Sequence, residues 1–361
     1  MNIGINARHL IKNRLEGIGW YSFEILKRLI KLMPNHQFIF FYDRKTSFLI
    51  NGENVTNIII NPPARHPILF KIWFNVMLPK AFKKHKVSLF FSPDGFVSLS
   101  SDIHQVGVIH DLNFEHYPED LPKNIVKYYK KYMPLFAQKA IKVITVSNYS
   151  KNDIVSNYRI NPDKVKVIYN GGNKIFQPLS NEEVQIFQRN NSKKPYFIYI
   201  GSLHKRKNIE RMLKAFQLFN SENKFDFIIV GTDMWRGQLN LEGIIENVHF
   251  VGRKSGSDLA KWIASSSALV YISYFEGFGL PVLEGMMAGA PVISGNLTSL
   301  PEVGGNAVIY VDPFNIDSIV QGMHDAINNY SSYRKLGQEQ AQLFSWDKSA
   351  LEVKKVLNDF I

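Results

Sequence analysis

Glu276-Gly277-Phe278-Gly279-Leu280-Pro281-Val282-Leu283-Glu284 follows an apolar run at 268–272, so the stretch reads as a strand that enters a helix through a glycine turn. Two glycines and a proline at the first helical position prepare a helix N-terminus whose free N–H groups and positive dipole end accept an anion. Glu276 falls in the loop and Glu284 one turn into the helix, so both carboxylates can face one ligand. Carboxylates accept hydrogen bonds and repel phosphate, which suits them to sugar or ribose hydroxyls. The plainer alternative is a helix start whose acidic residues complement its dipole.

The surrounding sequence repeats this grammar. Upstream, the strand candidate 196–200 runs into Gly201-Ser202-Leu203-His204-Lys205-Arg206-Lys207-Asn208, which opens a helix. Glycine permits the turn, the helix supplies N–H groups, and Arg206 and Lys207 add two cations, a set that fits a phosphate or diphosphate. Surface charge at a helix start is the alternative. Downstream, Ser299-Leu300-Pro301-Glu302-Val303-Gly304-Gly305 forms a turn and short helix between strand candidates 291–294 and 307–311. Further strands are expected at 226–230 and 248–251, with helices at 207–220, 256–265, 281–288 and 315–329.

The first half alternates in the same way, with strands expected at 2–6, 37–42, 56–60, 87–92, 105–109, 142–147 and 165–168, and helices at 20–32 and 121–139. The pattern breaks between Asn170-Gly171-Gly172-Asn173 and the polar run Asn190-Asn191-Ser192-Lys193-Lys194-Pro195, which marks a domain boundary. The expectation is an α/β chain of two Rossmann-like, doubly wound parallel-sheet domains, 1–175 and 176–345. Ligands of such sheets sit beyond the carboxyl ends of the strands, so the site is expected in a cleft between the halves.

A chain of 361 residues with 45% hydrophobic and 20% charged residues is not a disordered one, and its length accommodates two domains. With no cysteine, a disulfide framework, thiol nucleophile or cysteine-ligated zinc is excluded. The N-terminus lacks a signal-peptide layout and no strongly apolar run is long enough to span a membrane, so a cytoplasmic protein is expected. The 43 basic and 31 acidic residues give a net charge of +12, and residues 1–175 alone carry +13. Charge confined to one half suits a polyanionic partner, nucleic acid or an anionic lipid surface, or else serves solubility.

The order of motifs closely resembles a known family. A phosphate-type loop, then Glu-x7-Glu enclosing Gly-Phe-Gly-Leu-Pro, then Ala-Gly-Ala-Pro-Val-Ile at 288–293, then Ser-Leu-Pro-Glu-Val is similar to the retaining, nucleotide-sugar-dependent glycosyltransferases of GT-B fold, the family 4-like "group 1" enzymes. Within them it looks most like mannosyltransferases of polysaccharide and O-antigen synthesis.

That resemblance implies roles. Glu284 would bind the donor's ribose hydroxyls, and Glu276 the hydroxyls of its sugar. Backbone N–H groups at Phe278, Gly279 and Leu280 would meet sugar and phosphate, with Arg206 and Lys207 neutralising the diphosphate. Many members have arginine directly after Gly201; Ser202 stands here, which shifts that duty to Arg206. In the first half, Glu16-Gly17-Ile18-Gly19-Trp20 corresponds to a glycine loop near the donor phosphate, of which Gly17 and Gly19 carry over. His110, at the end of strand 105–109, corresponds to a site histidine, and Ser147 reads as a helix N-cap. The segment 346–361 would be a helix crossing back onto the first domain.

The implied reaction moves a hexose, best matched by mannose from GDP-mannose, to a glycan or polyprenyl-linked acceptor, with retention and with no metal or other cofactor. The absence of any Asp-x-Asp motif agrees with metal independence. Front-face attack, with the leaving phosphate oxygen taking the acceptor proton, would leave His110 to position the donor sugar or stabilise positive charge rather than act as an obligatory base. A sugar-nucleotide epimerase of the same fold and a basic nucleic-acid-binding protein are the alternatives; no zinc-finger or RNP-type motif supports the latter. Finally, segments 70–86 and 127–132 mix aromatics with lysines, which suggests peripheral contact with an anionic membrane, rings at headgroup depth. Pro79 is expected to limit the first segment to short helices.

Overall fold

A computed structural model describes residues 1–11, 15, 17–192, 194–231 and 247–361. Glu16 and Lys193, named above, lie outside the described residues. The chain divides into two compact units, Met1–Gly171 with Ser345–Ile361, and Gly172–Phe344.

Among the described residues, the first unit holds a seven-stranded sheet of β1 (Asn2–Asn6), β2 (Gln37–Tyr42), β3 (Val55–Ile59), β4 (Val87–Ser92), β5 (His104–Val108), β6 (Lys142–Thr145) and β7 (Val165–Val167). Its order is β3-β2-β1-β4-β5-β6-β7. The second holds β8 (Tyr196–Ile200), β9 (Asp226–Val230), β10 (Val248–Phe250), β11 (Ala268–Tyr271), β12 (Val292–Gly295) and β13 (Ile309–Val311), in the order β10-β9-β8-β11-β12-β13. Neighbouring strands pair in parallel throughout. Both are the doubly wound sheets that the strand–helix alternation requires. Each reverses its winding once, between β1 and β4 and between β8 and β11. Ligands of open α/β sheets bind outside the carboxyl ends of the strands at such a reversal.

Strand sequences explain the burial. β8 (Tyr-Phe-Ile-Tyr-Ile) and β9 are buried at every residue, as parallel strands covered on both faces must be. Ser147 caps the helix Asn148–Tyr158 by accepting from the Ser150 N–H at 3.0 Å. The helix Trp346–Asn358 packs on the helix Gly17–Leu32, with Trp346, Val353, Val356 and Leu357 buried. Leu351 on the same helix is exposed.

Three sequence expectations need correction. The polar stretch before β8 is not simply a linker: Asn181–Asn191 is a helix held by a capping box between Ser180 and Glu183. None of its residues is buried, so it carried no apolar periodicity to read. The helix Tyr330–Ala341 was likewise unannounced. Pro79 does not interrupt its segment. Helix Pro67–Ile72, a π-helical turn Trp73–Met77 and helix Leu78–Lys84 follow without a gap. Pro79 lacks an N–H and its ring would crowd the carbonyl four residues back, and the wider π turn relieves both.

The third correction concerns aromatics. Phe70, Trp73, Phe74, Phe82 and Tyr128 are core residues, not surface rings. What that surface exposes instead is Ile68, Ile72 and Val76, four residues apart, among Lys71, Lys80, Lys83, Lys84 and Lys86. Among the described residues, no helix is long and apolar enough to cross a membrane.

Candidate active site

In the second unit, residues that follow β8 and β11 converge. The chain leaves β8 at Gly201 with φ +139°, a value that disfavours a side chain, and Gly231 packs so closely that a Cβ there would lie 1.9 Å from the Gly201 carbonyl oxygen. A 3₁₀ turn, Lys205–Lys207, then turns Lys207 inward, and Asn208 at φ +62° starts the helix Ile209–Phe219.

Lys207 is buried. Its Nζ donates to the Tyr271 hydroxyl and, at 2.5 Å, to Glu276 Oε1. Arg206 Nη1 lies 2.9 Å from the same oxygen and donates to the Phe275 carbonyl at 2.8 Å. The Tyr271 hydroxyl donates to Oε1 at 3.0 Å. Three donors therefore converge on Oε1. Burial pushes the Glu276 carboxyl up, but Arg206 and Lys207 more than offset it and bring it down to about 2. Glu276 is thus an ionised carboxylate at any physiological pH.

Its backbone is also fixed. The Glu276 N–H donates to Thr298 Oγ1 at 3.1 Å, and Ser299 Oγ donates to the Glu276 carbonyl at 2.9 Å. The Ser-Leu-Pro-Glu-Val stretch, weak as a sequence signal, acts through its first residue to hold this loop. On the other side, the Arg206 carbonyl accepts from Tyr274 N at 3.1 Å and from Ser273 Oγ at 2.9 Å.

Gly279, at φ +101°, starts the helix Leu280–Ala288, with Pro281 in its first turn. Neither this helix nor Ile209–Phe219 has a side-chain cap, which leaves early N–H groups for other acceptors. The Phe278 ring is buried edge-on against Phe344, with centroids 5.6 Å apart. Glu284 is half-buried on the helix Leu280–Ala288, and burial pushes its carboxyl up to about 8 with no neighbouring cation to oppose it. The two glutamates of the motif therefore have opposite electrostatics: Glu276 permanently charged, Glu284 held largely neutral. Ser202 is half-buried, its carbonyl accepting from the Tyr199 hydroxyl at 2.7 Å.

In the first unit, Gly17 begins the helix Gly17–Leu32 and has open space around it, whereas a Cβ on Gly19 would come within 3.0 Å of the His9 carbonyl. His110 Nε2 lies 2.8 Å from the Pro93 carbonyl, its ring meets Tyr21 edge-on at 4.9 Å, and burial lowers its proton affinity. A carbonyl can only accept, so Nε2 carries the proton and Nδ1 presents a lone pair. A neutral His110 is suited to accept from a hydroxyl and does not oppose positive charge nearby, as an imidazolium would.

Sequence reasoning missed Tyr271 and Thr298 around Glu276, and Arg8, His9 and Asp94 beyond β1 and β4. Hydroxyl residues at or after strand ends were the available signal for the first two. The others are brought together only by the strand order. Among the described residues, no three His, Asp or Glu side chains cluster as a metal ion would require.

A pair of doubly wound sheets, one carrying a buried lysine, a half-buried arginine and a carboxylate at its winding reversal, defines a GT-B glycosyltransferase architecture. The family model described as Glycosyltransferase Family 4 matches residues 15–173, and that described as Glycosyl transferases group 1 matches 180–343. The chain belongs to this glycosyltransferase family. It is 29% identical to the O-antigen chain mannosyltransferase B of Escherichia coli, over 95% of this chain and 96% of the relative. Its fold is similar to that of sucrose-phosphate synthase from Thermosynechococcus elongatus, with TM-score 0.81 and 16% identity over 99% and 98% of the two chains. It is also similar to Anabaena HepE solved with UDP-glucose, with TM-score 0.76 and 15% identity over 99% and 100%.

The raised Glu284 carboxyl sets a pH dependence. Its folded value of about 8 exceeds its ordinary 4.5, so the native state binds the extra proton and stability falls as pH rises from about 4.5 through 8. Glu284→Gln should remove that decline: thermal melts of the unliganded proteins should agree near pH 5, with the variant the more stable at pH 9. Parallel pH profiles would show that Glu284 is ionised in the free protein.

Proposed function

We propose that the protein transfers mannose from GDP-mannose, with retention and without a metal, to a glycan or polyprenyl-linked acceptor in cell-surface polysaccharide synthesis. The observation that carries this is the Lys207–Glu276–Arg206 cluster at the reversal of the second sheet. The full-length similarity to an O-antigen mannosyltransferase supports mannose and the polysaccharide context.

As the anomeric C–O bond breaks, charge builds on the nucleoside diphosphate. Arg206 and Lys207 stand after β8 beside a helix N-terminus, fixed before substrate arrives, which is the condition for preorganised electrostatic stabilisation. Such fixed cations do the work that other transferases assign to a metal, and the chain has no Asp-x-Asp motif. In this reading Glu276 Oε2 accepts from donor-sugar hydroxyls while Oε1 keeps the cations in register. Ribose hydroxyls donate to Glu284, and first-turn N–H groups at Gly279 and Leu280 meet the donor. The acceptor proton passes to the leaving phosphate oxygen, and His110 Nδ1 orients a sugar hydroxyl. Ser202 and Gly201 line the turn, and Gly17 and Gly19 the start of the first helix.

Purified protein given GDP-mannose and a mannoside acceptor should form an α-mannosidic bond at an unchanged rate in EDTA. Lys207→Ala should cut kcat/KM by about a hundredfold or more, because the charge it opposes grows in the transition state. Transfer at wild-type rate by that variant, or loss of activity in EDTA, would refute the mechanism.

Membrane contact belongs to the same proposal. Ile68, Ile72 and Val76 form an exposed stripe beside a lysine cluster, the layout of an interfacial surface. Each lysine near an anionic leaflet contributes about 1 kcal/mol, so four hold the protein there reversibly. Phosphatidylglycerol vesicles should bind the protein at low salt and release it at high salt, and the change of Lys80, Lys83, Lys84 and Lys86 to Glu should abolish binding. A wild type that ignores such vesicles at low salt points to a soluble acceptor.

A further inference from the structure

Pro93 and Asp94, consecutive residues after β4, each hold an imidazole by its Nε2. The Pro93 carbonyl takes His110, and Asp94 Oδ2 lies 3.2 Å from His9 Nε2. Burial alone would raise the Asp94 carboxyl, but Arg8 beside it holds it well below the usual range, so it is an ionised acceptor. His9 therefore turns an Nε2–H toward this carboxylate and its Nδ1 edge away from it, as His110 does from the Pro93 carbonyl.

The pair is built with care on one side and left open on the other. Asp94 accepts from Arg8 Nε at 2.5 Å, Asn6 Nδ2 at 2.8 Å, Ser92 Oγ at 3.0 Å and Phe96 N at 3.1 Å. The Arg8 guanidinium is capped in turn by the Phe96 ring at 4.2 Å. Four donors already satisfy this carboxylate, so its burial does not call for a histidine. His9 is nonetheless seated: the close approach of Gly19 to its carbonyl fixes its backbone against the helix Gly17–Leu32. Its side chain is 40% exposed, against 3% for Asp94. His9 follows β1 and Asp94 follows β4, so the imidazole stands at the winding reversal of the first sheet, where a ligand is expected.

We propose that His9 is an acceptor-binding residue whose Nδ1 accepts a hydrogen bond from a hydroxyl of the acceptor sugar. The inference rests on the glycosyl-transfer reading above. Asp94 acts as the positioning residue, fixing ring orientation and tautomer; no proton is lost or gained in the contact.

The test uses the whole protein with GDP-mannose as donor and octyl α-mannoside as acceptor. His9→Gln keeps an amide N–H for Asp94 but has no acceptor at the Nδ1 position. Acceptor KM should rise about tenfold, the loss of one hydrogen bond, with donor KM unchanged. His9→Ala should do the same. Wild-type acceptor KM in His9→Gln would reduce His9 to a partner of Asp94 and overturn the inference, as would a rise in donor KM alone. A second readout does not need turnover: in protein labelled with ¹⁵N-histidine, the His9 Nδ1 resonance should move on titration with octyl α-mannoside. A resonance that stays still overturns the inference even if transfer occurs. If no mannose is transferred, the functional reading falls while the titration still decides His9.

Discussion

A single ionised carboxylate, Glu276, organises the second unit. Buried alone, such a charge would protonate; here Lys207 and Arg206 hold it ionised. The dependence is mutual, because Lys207 is buried too and the Glu276 carboxylate is its charged partner. Removing either partner leaves an uncompensated charge, a cost of about 3–5 kcal/mol. The glycine exit from β8, the 3₁₀ turn and the Thr298–Ser299 clamp all serve to bring these charges to one oxygen. Three charged groups with a net of +1 then stand beside a helix N-terminus. Under the proposed function, this is where an anion whose own charge increases during reaction would lie.

The first unit solves the same problem with different residues. Asp94 is buried and ionised at the reversal between β1 and β4, and Arg8 is its cation. Here the charge is sealed under the Phe96 ring and faces no open anion site of its own. Its effect is outward and indirect, through the proton it fixes on His9 Nε2. One buried ion pair thus brings two cations together and the other orients an imidazole. Under the proposed function, that difference suits a charged donor in one unit and a neutral hydroxyl in the other.

The fold was legible because parallel strands buried on both faces are near-continuous apolar runs, as in Tyr196–Ile200 and Asp226–Val230, and glycine turns punctuate them. The motif residues around Gly279 and Glu276 were legible for the same reason. The ion pairs were not. Lys207 and Glu276 are 69 residues apart, and Arg8 and Asp94 are 86 apart, so only strand order makes them neighbours. The opposite charge states of Glu276 and Glu284 were invisible as well, since they depend on which glutamate meets a cation. Helix Asn181–Asn191 escaped notice because none of its residues is fully buried, leaving its Ser-x-x-Glu capping box as the clearest signal.

The aromatic-rich segment 70–86 shows how composition misleads when periodicity is set aside. Phe70, Trp73, Phe74 and Phe82 recur at intervals of three, four, eight and twelve, the spacing of one helical face, and that face packs into the core. The residues between them, Ile68, Ile72 and Val76 with the lysines, fall on the opposite side. A stretch with two apolar faces has more hydrophobic area than its own domain can bury. The positive charge follows the uncovered face, since lysine stems cover apolar surface while their heads stay solvated. Five of the first half's lysines, Lys71, Lys80, Lys83, Lys84 and Lys86, therefore accompany an exposed apolar stripe, which an explanation by solubility alone would not require.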